Sequence, residues 1–239
     1  DGAGEEDGAG EEDGSEEETD AATCSSMVFE ESSPGGEPSY GSLAPAAGFL
    51  PEEGEGWAIE AWILPVVDLS DHRILFRSDD ESLGMLLRID AAGRYRTCSP
   101  YGGGGCARGG EEQLTEEWHH VVGVNDGSGV SLFVDGAFVE EAEGNVLHSY
   151  TGDFSMGCHT NREACFLGRM YLMRFYHGSL SVSDVEDLYS APGTSLPGAD
   201  LQAAWFPGSI TGNLISDETG NGNDIVMDGE NYTVVEECP

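Results

Sequence analysis

The chain has 239 residues, enough for one sizeable domain, and an all-β sandwich of this length is still a single unit. Its 46 acidic and 9 basic residues leave a formal charge of −37, which excludes nucleic acid held through its phosphates. No apolar run approaches the ~20 residues that a bilayer-spanning helix needs.

All nine bases are Arg and there is no Lys, a bias of source or medium, because no single physical need excludes Lys everywhere. Part of the acidity is local: residues 1–20 hold 11 of the 46 acids, no base and no large apolar side chain. Such a segment cannot bury enough surface to offset the entropy of ordering it, so residues 1–23 are expected to be a disordered, self-repelling tether. The folded domain is expected over 24–239.

Cys24, Cys98, Cys106, Cys158, Cys165 and Cys238 form an even set with no C-x-x-C pair. Zinc sites usually bring such close pairs, so the set points to disulfides and an oxidising compartment. On paper about fifteen pairings exist; proximity and glycine placement favour Cys98 with Cys106, Cys158 with Cys165, and Cys24 with Cys238 joining the two ends.

From Trp57 onward short strands alternate with turn residues. WAIEAWIL (57–64) stops at Pro65, RILFR covers 73–77, and GMLLRID covers 84–90, with Met85, Leu87 and Ile89 on one face. Ala91-Ala92-Gly93 turns the chain toward Arg94-Tyr95. A meander follows over 118–124, 130–134 and 137–141, turned at Asp126-Gly127 and Asp135-Gly136, pairs that supply the positive φ of tight hairpins. Val130, Leu132 and Val134 then share a core face. FLGRMYLMRFY (166–176) is another long strand. One short helix is expected near 181–190, with Ser183 and Glu186 as a capping box and Pro192-Gly193 as its stop. One helix among many strands indicates a sandwich or jelly roll.

Within EWHHVV (117–122) successive strand residues point to opposite faces, so His119 sides with Val121, and His120 with Trp118, Val122 and Val124. The two imidazoles are therefore expected to be packed structurally and not to share a metal. Glu141 and Glu143 alternate on one side of an acid-rich hairpin end, where a solvated edge accounts for them. Gly102 to Gly105 lacks the Lys-Ser/Thr of a phosphate loop. Tyr95, Tyr101 and Arg108 near it are candidates for stacking on and hydrogen-bonding to a sugar. Asn231-Tyr232-Thr233 fits the N-glycosylation acceptor pattern.

The ordered set Trp57-x-Ile59-Glu60-Ala61-Trp62, Glu117 to Val121, Val134-Asp135-Gly136, Phe166-Leu167-Gly168-Arg169 and Asp187-Leu188-Tyr189 resembles the laminin G-like, concanavalin A-like jelly-roll superfamily, in its bacterial, pentraxin-like branch. The resemblance implies an all-β sandwich of two antiparallel sheets with one short helix. Asp217 to Asp224 is similar to the family's D-x-S-G-N-G-N segment, which often precedes the first tryptophan strand but here follows the helix.

That segment crowds Asp217, Asn221, Asn223 and Asp224 around Gly220 and Gly222, the hard-oxygen composition calcium prefers. The resemblance implies a structural calcium there, with Asp217 the first ligand; a plain Asn/Gly turn has the same composition. The family further implies an exported or cell-surface binding or adhesion module without catalysis, its partner a glycan or a surface protein. The tether suits a position just after a cleaved signal or a lipid anchor. A self-assembling surface protein and a glycan-cleaving enzyme are the alternatives, the latter needing two carboxylates across the scissile bond.

Overall fold

The computed structural model describes residues 24–30, 37–52, 54–66, 73–78, 85–99, 105–109, 116–143 and 153–239. The expected tether, Tyr101 and Gly102 to Gly104 lie outside them. In chain order the strands are β1 (Ser26–Phe29), β2 (Tyr40–Leu43), β3 (Trp57–Pro65), β4 (Arg73–Ser78), β5 (Leu86–Ile89), β6 (Tyr95–Ser99), β7 (Gly105–Arg108) and β8 (His119–Asn125). They continue with β9 (Gly129–Val134), β10 (Ala137–Glu143), β11 (Phe154–Met156) and β12 (Gly168–His177). After helix α1 (Val182–Ser190) come β13 (Asp200–Trp205), β14 (Leu214–Ile215), β15 (Ile225–Asp228) and β16 (Tyr232–Val235).

Two antiparallel sheets result. The first runs β10-β9-β8-β3-β12-β1-β16, and the second runs β14-β15-β2-β11-β4-β5-β6-β7. One side of the long β12 is divided end to end, β1 taking Gly168 to Met170 and β13 taking Met173 to His177.

The sheets face each other across one apolar core. Met85, Leu87 and Ile89 from the second sheet and Val130, Leu132 and Val134 from the first all enter it, as their alternation requires. Phe49 bridges the layers, 5.2 Å from Phe154 and 4.7 Å from Phe175 between ring centroids. At Gly123 on β8 the sheets come so close that an added Cβ would sit 2.3 Å from Thr97 Oγ1.

The outer face of the first sheet is covered too. Val185 and Leu188 of α1 pack on Ala58, Val122, Val124, Phe133 and Tyr176, which explains why every residue of β8 is buried. Burying those two helix side chains stabilises the docking by on the order of 3–6 kcal/mol.

The helix begins differently from the expectation. Ser181 is the N-cap and Asp184 the reciprocal partner: the Asp184 N–H donates to Ser181 Oγ, and Asp184 Oδ2 accepts the Ser181 N–H at 2.8 Å. Ser183 and Glu186 lie inside the first turns, because the buried pair Val185 and Leu188 sets the start earlier.

The two Asp-Gly turns also differ from each other. Asp135 and Gly136 both adopt positive φ (51° and 76°), the two-residue hairpin geometry. At the other turn only Gly127 does (88°), and the Asp126 carboxylate holds a longer turn by accepting the N–H groups of Ser128 and Gly129, each at 2.8 Å. Cys24 is bonded to Cys238, Cys98 to Cys106, and Cys158 to Cys165. No helix among the described residues is long and apolar enough to cross a membrane.

Candidate functional site

The paired histidines separate as strand geometry demands. His119 faces the core side, its ring 5.8 Å from that of Tyr95, with Nδ1 2.9 Å from Asp135 Oδ2. His120 faces outward beneath α1, its ring 4.9 Å from Trp62 and 6.0 Å from Tyr189.

Beside His120 lies a buried polar cluster contributed by β3, β8 and β12. Glu60 is wholly buried; its Oε2 accepts the Tyr176 hydroxyl at 2.8 Å and lies 3.4 Å from Arg174 Nη1, while Oε1 lies 3.4 Å from His120 Nε2. Arg174 also donates to the carbonyls of Thr194 (2.7 Å) and Gly193 (2.5 Å), just past the end of α1. A cation there complements the negative end of the helix. Burial pushes the Glu60 carboxyl up, but the His120 contact, the Arg174 charge and the Tyr176 hydroxyl outweigh it and hold the group below its ordinary value. With no route to solvent, this cluster anchors the helix and its exit turn.

The Asp217 to Asp224 loop is a closed hydrogen-bonded knot. Asp217 Oδ1 accepts the N–H of Ala204 (3.1 Å), the N–H of Thr219 (3.0 Å) and the Thr219 hydroxyl (2.7 Å), and Oδ2 accepts the Asn223 N–H (3.2 Å). Asp224 Oδ1 accepts the Asp217 N–H, and Asn223 Oδ1 accepts that of Ala46. The side-chain amides of Asn221 and Asn223 both donate to the Gln202 carbonyl at 3.0 Å, and the Asn223 carbonyl accepts the indole N–H of the core residue Trp205 at 2.6 Å. As folded, Asp217 spends both carboxylate oxygens on N–H and O–H donors, while Asp224 Oδ1 and Asn223 Oδ1 each accept one N–H. Among the described residues, no three His, Cys, Asp or Glu side chains gather to hold a metal ion. The loop closes the end of β13 onto the β15 side.

The sugar-contact candidates divide. Tyr95 is a correction: its place on β6 turns it inward, and it is completely buried in the core. Burial holds its phenol strongly protonated. Arg108 is exposed, on the outer face of the edge strand β7.

Arg108 heads a row. It sits directly opposite Arg96, which sits directly opposite Arg88, and beyond Arg88 lies Ile74. In the next row Arg77, Leu86, Cys98 and Cys106 follow in register, the last two bonded to each other. Exposure falls inward along the row: Arg108 is exposed, Arg96 half-buried and Arg88 buried. Four of the nine arginines thus occupy one face of the second sheet. Among the described strand positions of that face the single acid is Asp228 of β15, which pairs with Arg162 at 2.8 Å.

The two registers were open to sequence reasoning. A hairpin folded about Ala91 to Gly93 puts residue 88 opposite 96, and a bonded Cys98–Cys106 pair in a common register puts 96 opposite 108.

Other surface features are less convergent. Glu141 and Glu143 are exposed on β10, while Glu140 turns to accept the Arg108 N–H at 2.6 Å. A groove of about 580 Å³ at the end of the first sheet has an apolar floor including Val28, Leu64 and Val66, and a rim of Glu30, Glu116 and the Arg169–Glu237 ion pair. The side-chain amide of Asn231 in the glycosylation pattern donates to the Glu37 carbonyl.

Comparison with known proteins agrees with this architecture. The family model described as the concanavalin A-like lectin/glucanases superfamily matches residues 36–186. A protein from Bacteroides ovatus assigned as carbohydrate-binding superposes with a TM-score of 0.67 at 19% identity, over 89% of this chain and 59% of its own. The chain therefore spans less than two thirds of that protein's length. A heptameric SAP-like pentraxin from Limulus polyphemus superposes at 0.60 and 14% identity, over 89% of this chain and 94% of its own. No curated protein matches the sequence.

Proposed function

This chain belongs to the concanavalin A-like lectin/glucanases superfamily, in its laminin G-like form, and on that premise we propose that it is a non-catalytic recognition module that binds carbohydrate outside the cell. The observation that carries the reading is the outer face of the second sheet, where exposed Arg108 on the edge strand β7 stands in register with Arg96 of β6 and Arg88 of β5. Guanidinium forks offer fixed, directional donors of the kind that fix a polar ligand.

Hydrolysis of a glycosidic bond needs two carboxylates facing each other across it. The described strand positions of this face carry cations, hydroxyls and apolar groups, and one acid, Asp228, which is engaged by Arg162. Three disulfides support an oxidising location, and the Bacteroides ovatus relative supports the ligand class.

A glycan array read with and without calcium, with released product measured in parallel, tests the reading. Binding without product release is the expected result; product release would establish the enzyme alternative.

One observation favours a second reading, self-assembly. Among the described residues β16 ends the first sheet with no strand on its outer side, and Val234 is 44% exposed, an arrangement able to add a further strand. Sedimentation separates the two: a monomer that binds glycan supports recognition alone.

A further inference from the structure

We infer that the groove at the end of the first sheet docks an extended peptide segment of a partner protein, one that carries an aliphatic side chain between two cationic ones. The groove lies on the first sheet, apart from the arginine face of the second.

Strand register builds it. Val28, Arg169 and Leu64 lie directly opposite one another across β1, β12 and β3. Continuing the same registers two residues past that row brings Glu30, Leu167 and Val66 to one level, where the Val66 N–H donates to the Leu167 carbonyl at 3.0 Å. Side chains two apart on a strand share a face, so both rows point outward from the core. Helix α1 packs at the other end of β3 and β12, on Ala58 and Tyr176, and this end stays open as a groove of about 580 Å³, a volume that suits a bound ligand. Val66 on its floor is 47% exposed.

The charges around the floor select the occupant. Arg169 is paired with Glu237, so its charge is met and its stem extends the apolar surface. Glu30 accepts the Thr233 hydroxyl at 2.9 Å, and among the described residues no cation pairs with Glu30 or Glu116. These two carboxylates flank the floor, Glu30 just after β1 and Glu116 shortly before β8. The strands run in the order β8-β3-β12-β1, which sets the acids about three strand spacings, ~14 Å, apart.

An extended chain covers ~13 Å in four residues, and its positions i, i+2 and i+4 point the same way. Lys or Arg at i and i+4 therefore reaches the two acids while an aliphatic residue at i+2 meets Val28, Leu64 and Val66. A sugar fits less well: Phe29, the one aromatic residue in the lining, is buried in the core, so the floor offers no ring face for stacking. A second copy of the chain fits less well too. At a net charge of −37 two copies repel, and the one stretch with bases four apart, Arg73 to Arg77, is β4, held between β11 and β5.

The test uses the full chain and the peptide acetyl-Gly-Lys-Thr-Val-Thr-Lys-Gly-amide, by calorimetry at two salt concentrations. Two altered peptides, with Gln for both Lys and with Ser for Val, and the polyamine spermine serve as comparisons. E30Q and E116Q are each expected to weaken peptide binding two- to fivefold and the double variant about tenfold, with V66S about threefold weaker and E141Q, which removes the same charge from β10, unchanged. Binding should weaken as salt rises, because exposed pairs are screened. A thermal melt checks that each variant is folded.

Equal binding by E141Q and the E30Q/E116Q variant shows only diffuse attraction to an acidic protein and overturns the site. The Gln peptide bound as tightly as the Lys peptide overturns the charge pairing, and the Ser peptide bound as tightly overturns the role of the floor. Spermine bound more tightly than the peptide overturns the peptide class, and silence toward the peptide overturns the inference. Glycan binding on the second sheet is independent of every one of these outcomes.

Discussion

Glu60 shows how one residue's environment sets a pH dependence. Its carboxyl is held below its ordinary value of 4.5 despite complete burial, so its contribution to stability is fully present above about 4.5. That contribution is lost as the pH falls through the lower folded value. The other acids confuse a simple pH scan, because protonating them relieves the repulsion of a chain at −37. The difference between the native chain and E60Q isolates the group: by urea unfolding, it should shrink as pH drops below 4.5. R174M should be the worse substitution, costing about 3–5 kcal/mol at neutral pH, because it leaves Glu60 buried without its cation and frees the Gly193 and Thr194 carbonyls. A loss under about 1 kcal/mol would mean that the cluster is not a coupled unit. None of this was legible in the sequence, where Glu60 reads as one acid in a tryptophan strand. Its partners lie 60 and 114 positions away on β8 and β12, and only the pairing of three strands brings them together.

At the scale of elements, the short-range pieces read well. The hairpins turned at Asp-Gly, the core faces of β5 and β9, and the opposite directions of His119 and His120 all follow from period-two alternation and turn chemistry, which act within a few residues. Tyr95 was misplaced as a surface residue because aromatic character alone does not reveal which face of β6 is inward; its neighbours Arg94 and Arg96 did carry that signal. The Cys24–Cys238 bond ties together the outer ends of β1 and β16, which pair antiparallel. It closes a loop with a separation of 214 residues, for which chain entropy gives about 5 kcal/mol. C24S/C238S should therefore unfold at lower denaturant with up to that loss, and amide exchange should rise first in β16, the edge strand. Unchanged exchange there would show that β1–β16 pairing holds without the clamp.

At the scale of the whole molecule, charge dominates. With 46 acids against 9 bases the folded state is strained by its own repulsion, which salt screens. Raising ionic strength from ~0.02 to ~0.5 M should raise Tm, each kcal/mol gained appearing as roughly 2–4 °C for a domain of this size. A falling Tm would mean that the ion pairs around Glu60 and Arg162 outweigh the net repulsion.

The sequence by itself determined the class of fold, the six bonded cysteines and the faces of the local hairpins, because composition and near-neighbour geometry suffice for each. Only the tertiary structure decided that Asp217 to Asp224 is a knot fastened to Trp205, that Glu60 has Arg174 beneath a helix, and that Arg108 stands at the head of a cationic row. Each depends on which strands pair and in what register, and pairing between distant strands is settled by how the whole core closes.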